Sequence, residues 1–260
     1  MGLHKDEAIV LSKRAYGESD RIVRLLTLES GKIGAIAKGA SKSRKRFSNT
    51  LEPFNHIKVE YFEKSGSGLV RIDNADIVAT NQGIEVSLKR ACTASFFTEF
   101  SDRLSREREK NKALFYTLKE ILETARVREL SYGDILYYQL KMLDVLGYMP
   151  NFRHCVYCGK SVADEVKRYF SRQRGGVLCP ACMRSVPHRV YGEGTISRLV
   201  SIVGHDFAAP QTVCDSPMSY VSDMKRFEGE AREIMEGFIS FHLEVELKSY
   251  RILKTLLWQP

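Results

Sequence analysis

The sequence is short of most features that mark a catalyst or a membrane protein. It has one tryptophan and seven prolines in 260 residues, and no low-complexity tract or internal repeat. No apolar run reaches the roughly eighteen residues of a membrane-spanning helix. The opening MGLHKDEAIV has no apolar signal core, which predicts a cytoplasmic, reduced chain and argues against disulfides. A phosphate-binding loop, a G-x-G-x-x-G fingerprint and a nucleophile elbow are all missing, and no two carboxylates stand together in an apolar setting. His242-Leu243-Glu244 has the H-x-E spacing of a zinc deaminase but follows the cysteines it would need to precede. These absences predict a protein that is not an enzyme.

The six cysteines are unevenly spread. Cys155 and Cys158 form one C-x-x-C, Cys179 and Cys182 a second, and twenty residues separate the pairs. A two-residue spacer lets one tight turn aim two sulfurs at a point. Two such turns supply four thiolates in a tetrahedron, the shell of a structural Zn²⁺. Gly159 follows the first pair, where the turn needs a residue tolerant of positive φ. Cys-Pro-Ala-Cys alone also fits a redox dithiol, but a second pair nearby favours metal. His154 and His188 flank the cysteines and read as surface residues, because four sulfurs leave no vacancy. Cys92 falls on an apolar helix face and reads as core.

The net charge of +8 is distributed unevenly. It runs +4 over residues 1–80, +1 over 81–150, +6 over 151–190 and −3 over 191–260. A Zn(Cys)₄ centre would lower the third figure to about +4. Basic excess in two segments points to an anionic polymer as partner.

The pattern divides the chain at those same boundaries. Residues 1–80 carry five short strand-like stretches: 7–15, 21–28, 32–38, 56–62 and 69–78. They predict a five-stranded OB-type barrel that binds nucleic acid, with an SH3-like barrel as the alternative. At the longest break, the stretch 38–46 holds Lys38, Lys42, Arg44, Lys45 and Arg46 without an acidic residue. A solvated loop would look the same. After a barrel strand, however, the run predicts salt-sensitive phosphate contact. Arg14, Arg24 and Arg71 are secondary candidates, since strand residues can face either way. Phe47, Phe54, Tyr61 and Phe62 are nearby aromatics that would serve as core or stack bases. Residues 81–150 turn helical, and Ser131 with Asp134 makes a capping box before a helix that Gly147 and Pro150 end. Residues 151–190 read as a zinc ribbon and 191–260 as further helix, with the zinc unit interrupting one helical domain. The fold class is therefore α+β and multidomain.

Several of these stretches together resemble the RecO family, bacterial recombination mediators of the RecF pathway. The resemblance is carried by AIVLSKRAYGESDRIVRLLTLESGKIGAIAKGASKSR, by LEPF at 51–54, by ILYYQLKMLDVLGYMP running into HCVYCGK, and by FSRQRGGVLCPAC. FSNTLEPF departs from the glycines expected after the Phe. The resemblance implies an OB-fold, a helical domain and a zinc unit. It also implies binding of single- and double-stranded DNA, annealing of complementary strands, and RecR and SSB as partners that together help RecA load. The residues alone leave two alternatives open: an RNA-binding OB protein of translation or RNA processing, and a protein-interaction adaptor.

Overall fold

The structure is a computed structural model, described for residues 2–43, 46–63, 68–163, 168–204, 219–244 and 246–257. It divides into two compact units, 1–130 with 247–260 and 131–246. Among the described residues, no helix is long and apolar enough to cross a membrane.

Alternating apolar residues build the sheet of the first unit: β1 (Gly2–Tyr16), β2 (Asp20–Thr27), β3 (Gly31–Ala37), β4 (His56–Glu63) and β5 (Val70–Ala79). The strands pair in the order β1-β2-β3-β5-β4, and β4 returns to β1 to close a barrel. The parallel β3–β5 pair, with Ala35 opposite Val70, fits the OB-type Greek key named above. β1 serves two partners. Its first half ladders with β4 and its second half with β2, and the register shifts between Val10 and Ser12. An extra residue there bends the strand so that one segment can cross from one neighbour to the next. The strand begins at Gly2, five residues before the apolar pattern does, because Gly2–Asp6 is held by backbone pairing to β4 and not by burial. Ala8, Val10, Val23, Leu25, Ile33, Ile57, Val59, Tyr61 and Ile72 fill the interior. Phe47 joins them, so Phe47 and Tyr61 are core side chains, while Phe54 and Phe62 are half-buried.

Three helices pack in this unit: α1 (Leu88–Leu104), α2 (Lys112–Val127) and α6 (Lys248–Leu257). α1 is buried on nearly every side, from Cys92, Phe96 and Phe100 round to Thr98 and Ser101. The two hydroxyls tolerate burial by donating to the carbonyls of Ala94 and Phe97 one turn back, at 2.8 and 2.9 Å. α6 packs on α1, with Tyr250 5.1 Å from Phe96. The Glu99 carboxylate accepts from the N–H groups of Lys248 (3.1 Å) and Ser249 (2.8 Å), satisfying donors a helix start leaves free. Lys32, on β3, is buried and donates to the carbonyls of Asp102 and Ser105 (2.6 Å for the latter) at the end of α1. A cation at that end meets both the unpaired carbonyls and the negative end of the helix dipole.

The second unit begins with α3 (Tyr132–Val145). Ser131 Oγ accepts from the Asp134 N–H at 3.1 Å, and Asp134 accepts from the Ser131 N–H at 2.8 Å. Gly147, at φ 76°, ends the helix as its position predicts. A three-stranded sheet follows in the order β7-β6-β8: β6 (Arg168–Ser171), β7 (Gly176–Leu178) and β8 (Arg189–Tyr191). The first two strands match the ribbon expected from sequence. The third is an addition, too short at three residues to show a period. α4 (Glu193–Gly204) and α5 (Ser219–His242) complete the unit and both pack on α3. α5 buries Phe227, Ala231, Ile234, Met235 and Phe238 along one stripe, and Met224 at its start is half-buried.

Candidate metal centre and nucleic-acid surface

Two tight turns bring the four cysteines together. In the first, the Gly159 N–H donates to the Cys155 carbonyl at 2.8 Å, and Gly159 takes φ 78°. In the second, the Cys182 and Met183 N–H groups donate to the Cys179 carbonyl at 3.0 and 3.1 Å. The sulfurs of Cys155, Cys158, Cys179 and Cys182 all lie within 4.8 Å of one another. Cys158 Sγ and Cys179 Sγ are 3.7 Å apart. A tetrahedral Zn²⁺ with bonds of about 2.3 Å needs sulfurs about 3.8 Å apart, whereas a disulfide needs about 2.05 Å. The cysteines are free thiols, and the donor set fits a metal ion. Burial of Cys155 pushes its thiol up. The backbone N–H groups of Cys179, Cys158 and Tyr157 together with the Cys158 thiol outweigh that and hold it at about 6. Donors aimed at a sulfur favour the thiolate, the form a metal takes. His154 and His188 are exposed and outside the cluster, and His188 Nδ1 lies 2.9 Å from the Val186 carbonyl.

The basic loop leaves the barrel after β3. Its base is fixed: the Gly39 N–H donates to Asp20 at 2.8 Å and the Ser41 N–H to the Ser19 carbonyl at 2.9 Å. Lys38, Lys42 and Arg46 are exposed, and among the described residues no carboxylate pairs with them. Arg46 donates to the Lys38 carbonyl at 3.2 Å and lies 5.0 Å over the Phe47 ring. Arg44 and Lys45 lie outside the described residues. Arg14 is exposed on β1, and Arg71 is exposed on β5 with its guanidinium 5.2 Å from the Phe62 ring. Arg24 differs from these. Its Nε lies 2.7 Å from Asp102, and a second nitrogen pairs with Glu107, so its charge is taken up beside the end of α1.

A feature the residue pattern did not mark is the pair Tyr157 and Arg174. Tyr157 falls between two cysteines, is 55% exposed and has the Arg174 guanidinium 5.9 Å from its ring centroid. The signal available was an aromatic inside a C-x-x-C, where the turn leaves its side chain no core to enter.

Comparison with known proteins decides the family. Residues 1–81 match the family described as Recombination protein O N terminal, and residues 86–251 match Recombination protein O C terminal. The chain belongs to the RecO family. Relatives named DNA repair protein RecO cover nearly its whole length. The one from Thermoanaerobacter sp. is 31% identical over 260 residues, 98% of this chain and 99% of the relative. The one from Nocardioides sp. is 34% identical over 251 residues, 95% and 97% of the two chains. The one from Myxococcus xanthus is 33% identical over 249 residues, 96% of each. Both RecO halves are thus present in one chain. The barrel lies in the first match and the cysteine cluster in the second.

Proposed function

We propose that this protein is a non-enzymatic recombination mediator in DNA repair. It binds single- and double-stranded DNA and anneals complementary strands. It works with RecR on SSB-coated single strands to help RecA load, in the bacterial cytoplasm. The observation that carries this reading is the match of the whole chain to RecO proteins named for DNA repair. The exposed Lys38, Lys42 and Arg46 on a loop anchored to an OB-type barrel add a physical route to it.

The mechanism is electrostatic. Two polyanions approach only when their repulsion is screened. Lysines and arginines that displace condensed counterions supply that screening and make binding fall with salt. The loop 38–46 contacts phosphate through Lys38, Lys42, Arg44, Lys45 and Arg46, with Arg14 and Arg71 on the strands as secondary contacts. Arg24, engaged by Asp102 and Glu107, supports the end of α1 instead. The barrel takes residues 1–80 as the DNA-binding module, and residues 151–190 form the metal-bound unit within helical segments 81–150 and 191–260. Cys155, Cys158, Cys179 and Cys182 hold one Zn²⁺. Bound there, the ion supplies cross-linking of two turns and no open coordination position.

The test is the salt dependence of single-strand binding. Replacing Lys42, Arg44, Lys45 and Arg46 by Ala together should weaken binding. It should also flatten the slope of log K against log salt by about 0.7 for each phosphate that is no longer neutralised. An unchanged slope and affinity would remove the loop from the DNA path.

A further inference from the structure

Of the aromatics near the basic loop, Phe47 and Tyr61 lie in the barrel core and Phe54 and Phe62 are half-buried. The second unit does the reverse with Tyr157. Its main chain lies inside the metal turn, which the Gly159 N–H to the Cys155 carbonyl and the Cys155 N–H to the Lys160 carbonyl close at 2.8 Å each. Its ring stands in solvent, and Arg174 reaches it from the β6–β7 turn.

That turn is locked against the cysteine turn. The Asn151 N–H donates to the Gly175 carbonyl (3.0 Å), the Val177 N–H to the Asn151 carbonyl (2.9 Å), and the Val156 N–H to the Val177 carbonyl (2.9 Å). A Cβ on Gly176 would lie 2.5 Å from both the Asn151 oxygen and Val156 Cγ1, so only glycine allows the approach. Two turns joined by backbone hydrogen bonds therefore hold an exposed tyrosine and an exposed arginine side by side. Arg153 and Lys160, on the same cysteine turn, are exposed and make no ion pair among the described residues. An exposed aromatic beside an arginine, with further exposed cations on the same short segment, is the chemistry that takes an unpaired base and its flanking phosphates.

We propose that the cysteine turn is a second single-strand contact, in which one unpaired nucleobase stacks on the Tyr157–Arg174 pair and Arg153 and Lys160 take the adjacent phosphates. This rests on the nucleic-acid reading above and adds a site to it. Bases in a duplex are not available for stacking, so the site selects single strands. It also gives the protein two separate places to hold DNA, one on the barrel loop and one here.

The test uses the full, zinc-loaded chain and three oligonucleotides of equal length: oligo-dT, an abasic strand and a blunt duplex. The wild type should bind oligo-dT on the order of tenfold more tightly than the abasic strand. Tyr157→Ala should lose most of that preference and leave duplex binding nearly unchanged. Tyr157→Phe should keep the preference, and Arg174→Ala should reduce it. Zinc content and thermal melting establish that each variant is folded, and the wild-type dT-to-abasic ratio stands without any variant. If the wild type binds oligo-dT but shows no preference over the abasic strand, or if folded Tyr157→Ala keeps that preference, the stacking site is wrong and the loop reading survives. If the wild type binds no oligonucleotide at low salt, the nucleic-acid reading fails and takes this site with it.

Discussion

The barrel and the cysteine unit are held together by different means, and the difference sets what each can display. The barrel buries fifteen residues in one apolar cluster, so its stability comes from area removed from water. Its Phe47 and Tyr61 are committed inward, while Phe54 and Phe62 are half-buried and Tyr16, at the end of β1, is exposed; its loops and outer strand faces are free for function. The cysteine unit has strands of four, three and three residues and a smaller apolar set, Phe152, Val162, Tyr169, Phe170, Val177, Leu178, Val186 and Tyr191. Four sulfurs that fit a metal ion add a staple to that small core. A unit stapled by metal can leave a tyrosine in solvent without losing its fold, and Tyr157 is left there.

The sharpest way to break this comparison is to remove the staple. Cys158→Ser, or a strong chelator, should unfold the ribbon and leave the barrel. Structural zinc contributes on the order of 10–16 kcal/mol to such units. Hydrogen exchange reads both parts at once: the amides of Phe170 and Val177 should lose protection while those of Val23 and Ile33 keep it. Equal loss in both would mean that the two do not fold by separate means.

A smaller effect tests how the barrel supports α1. Lys32→Met keeps the apolar stem but leaves the carbonyls of Asp102 and Ser105 without their cation. The cost should be about 1–3 kcal/mol in urea unfolding, with zinc content unchanged. The smallest effect is at His56, buried on β4 against Glu7 (3.0 Å) and the edge of Phe115. Burial pushes its pKa below 6.5 and outweighs the Glu7 hydrogen bond that raises it. The folded chain keeps the ring neutral while the unfolded chain protonates it. This contribution is therefore present above about pH 6.5 and is lost as pH falls toward the folded value. His56→Gln should flatten the melting temperature between about pH 5 and 7, and a slope unchanged by the variant would contradict it.

What the sequence made legible follows from the range of each signal. The barrel strands were readable because their core residues alternate locally. The cysteine site was readable because the spacing within each pair encodes the turn. Ser131 and Asp134 announced α3 through a capping box that spans a single turn. The features that stayed hidden depend on partners far along the chain. Gly2–Asp6 is a strand only because β4 pairs with it. Lys32 looks like any strand lysine until the end of α1 lies over it. Nothing local ties Glu99 to Ser249. Arg24 was readable as a cation but not as one already paired with Asp102.

The measurement closest to the central claim is annealing of complementary single strands coated with SSB, with and without this protein, in the absence of ATP. Annealing should accelerate at stoichiometric protein, and the acceleration should weaken as salt rises. A folded, zinc-loaded protein that leaves the annealing rate unchanged at low salt would contradict it.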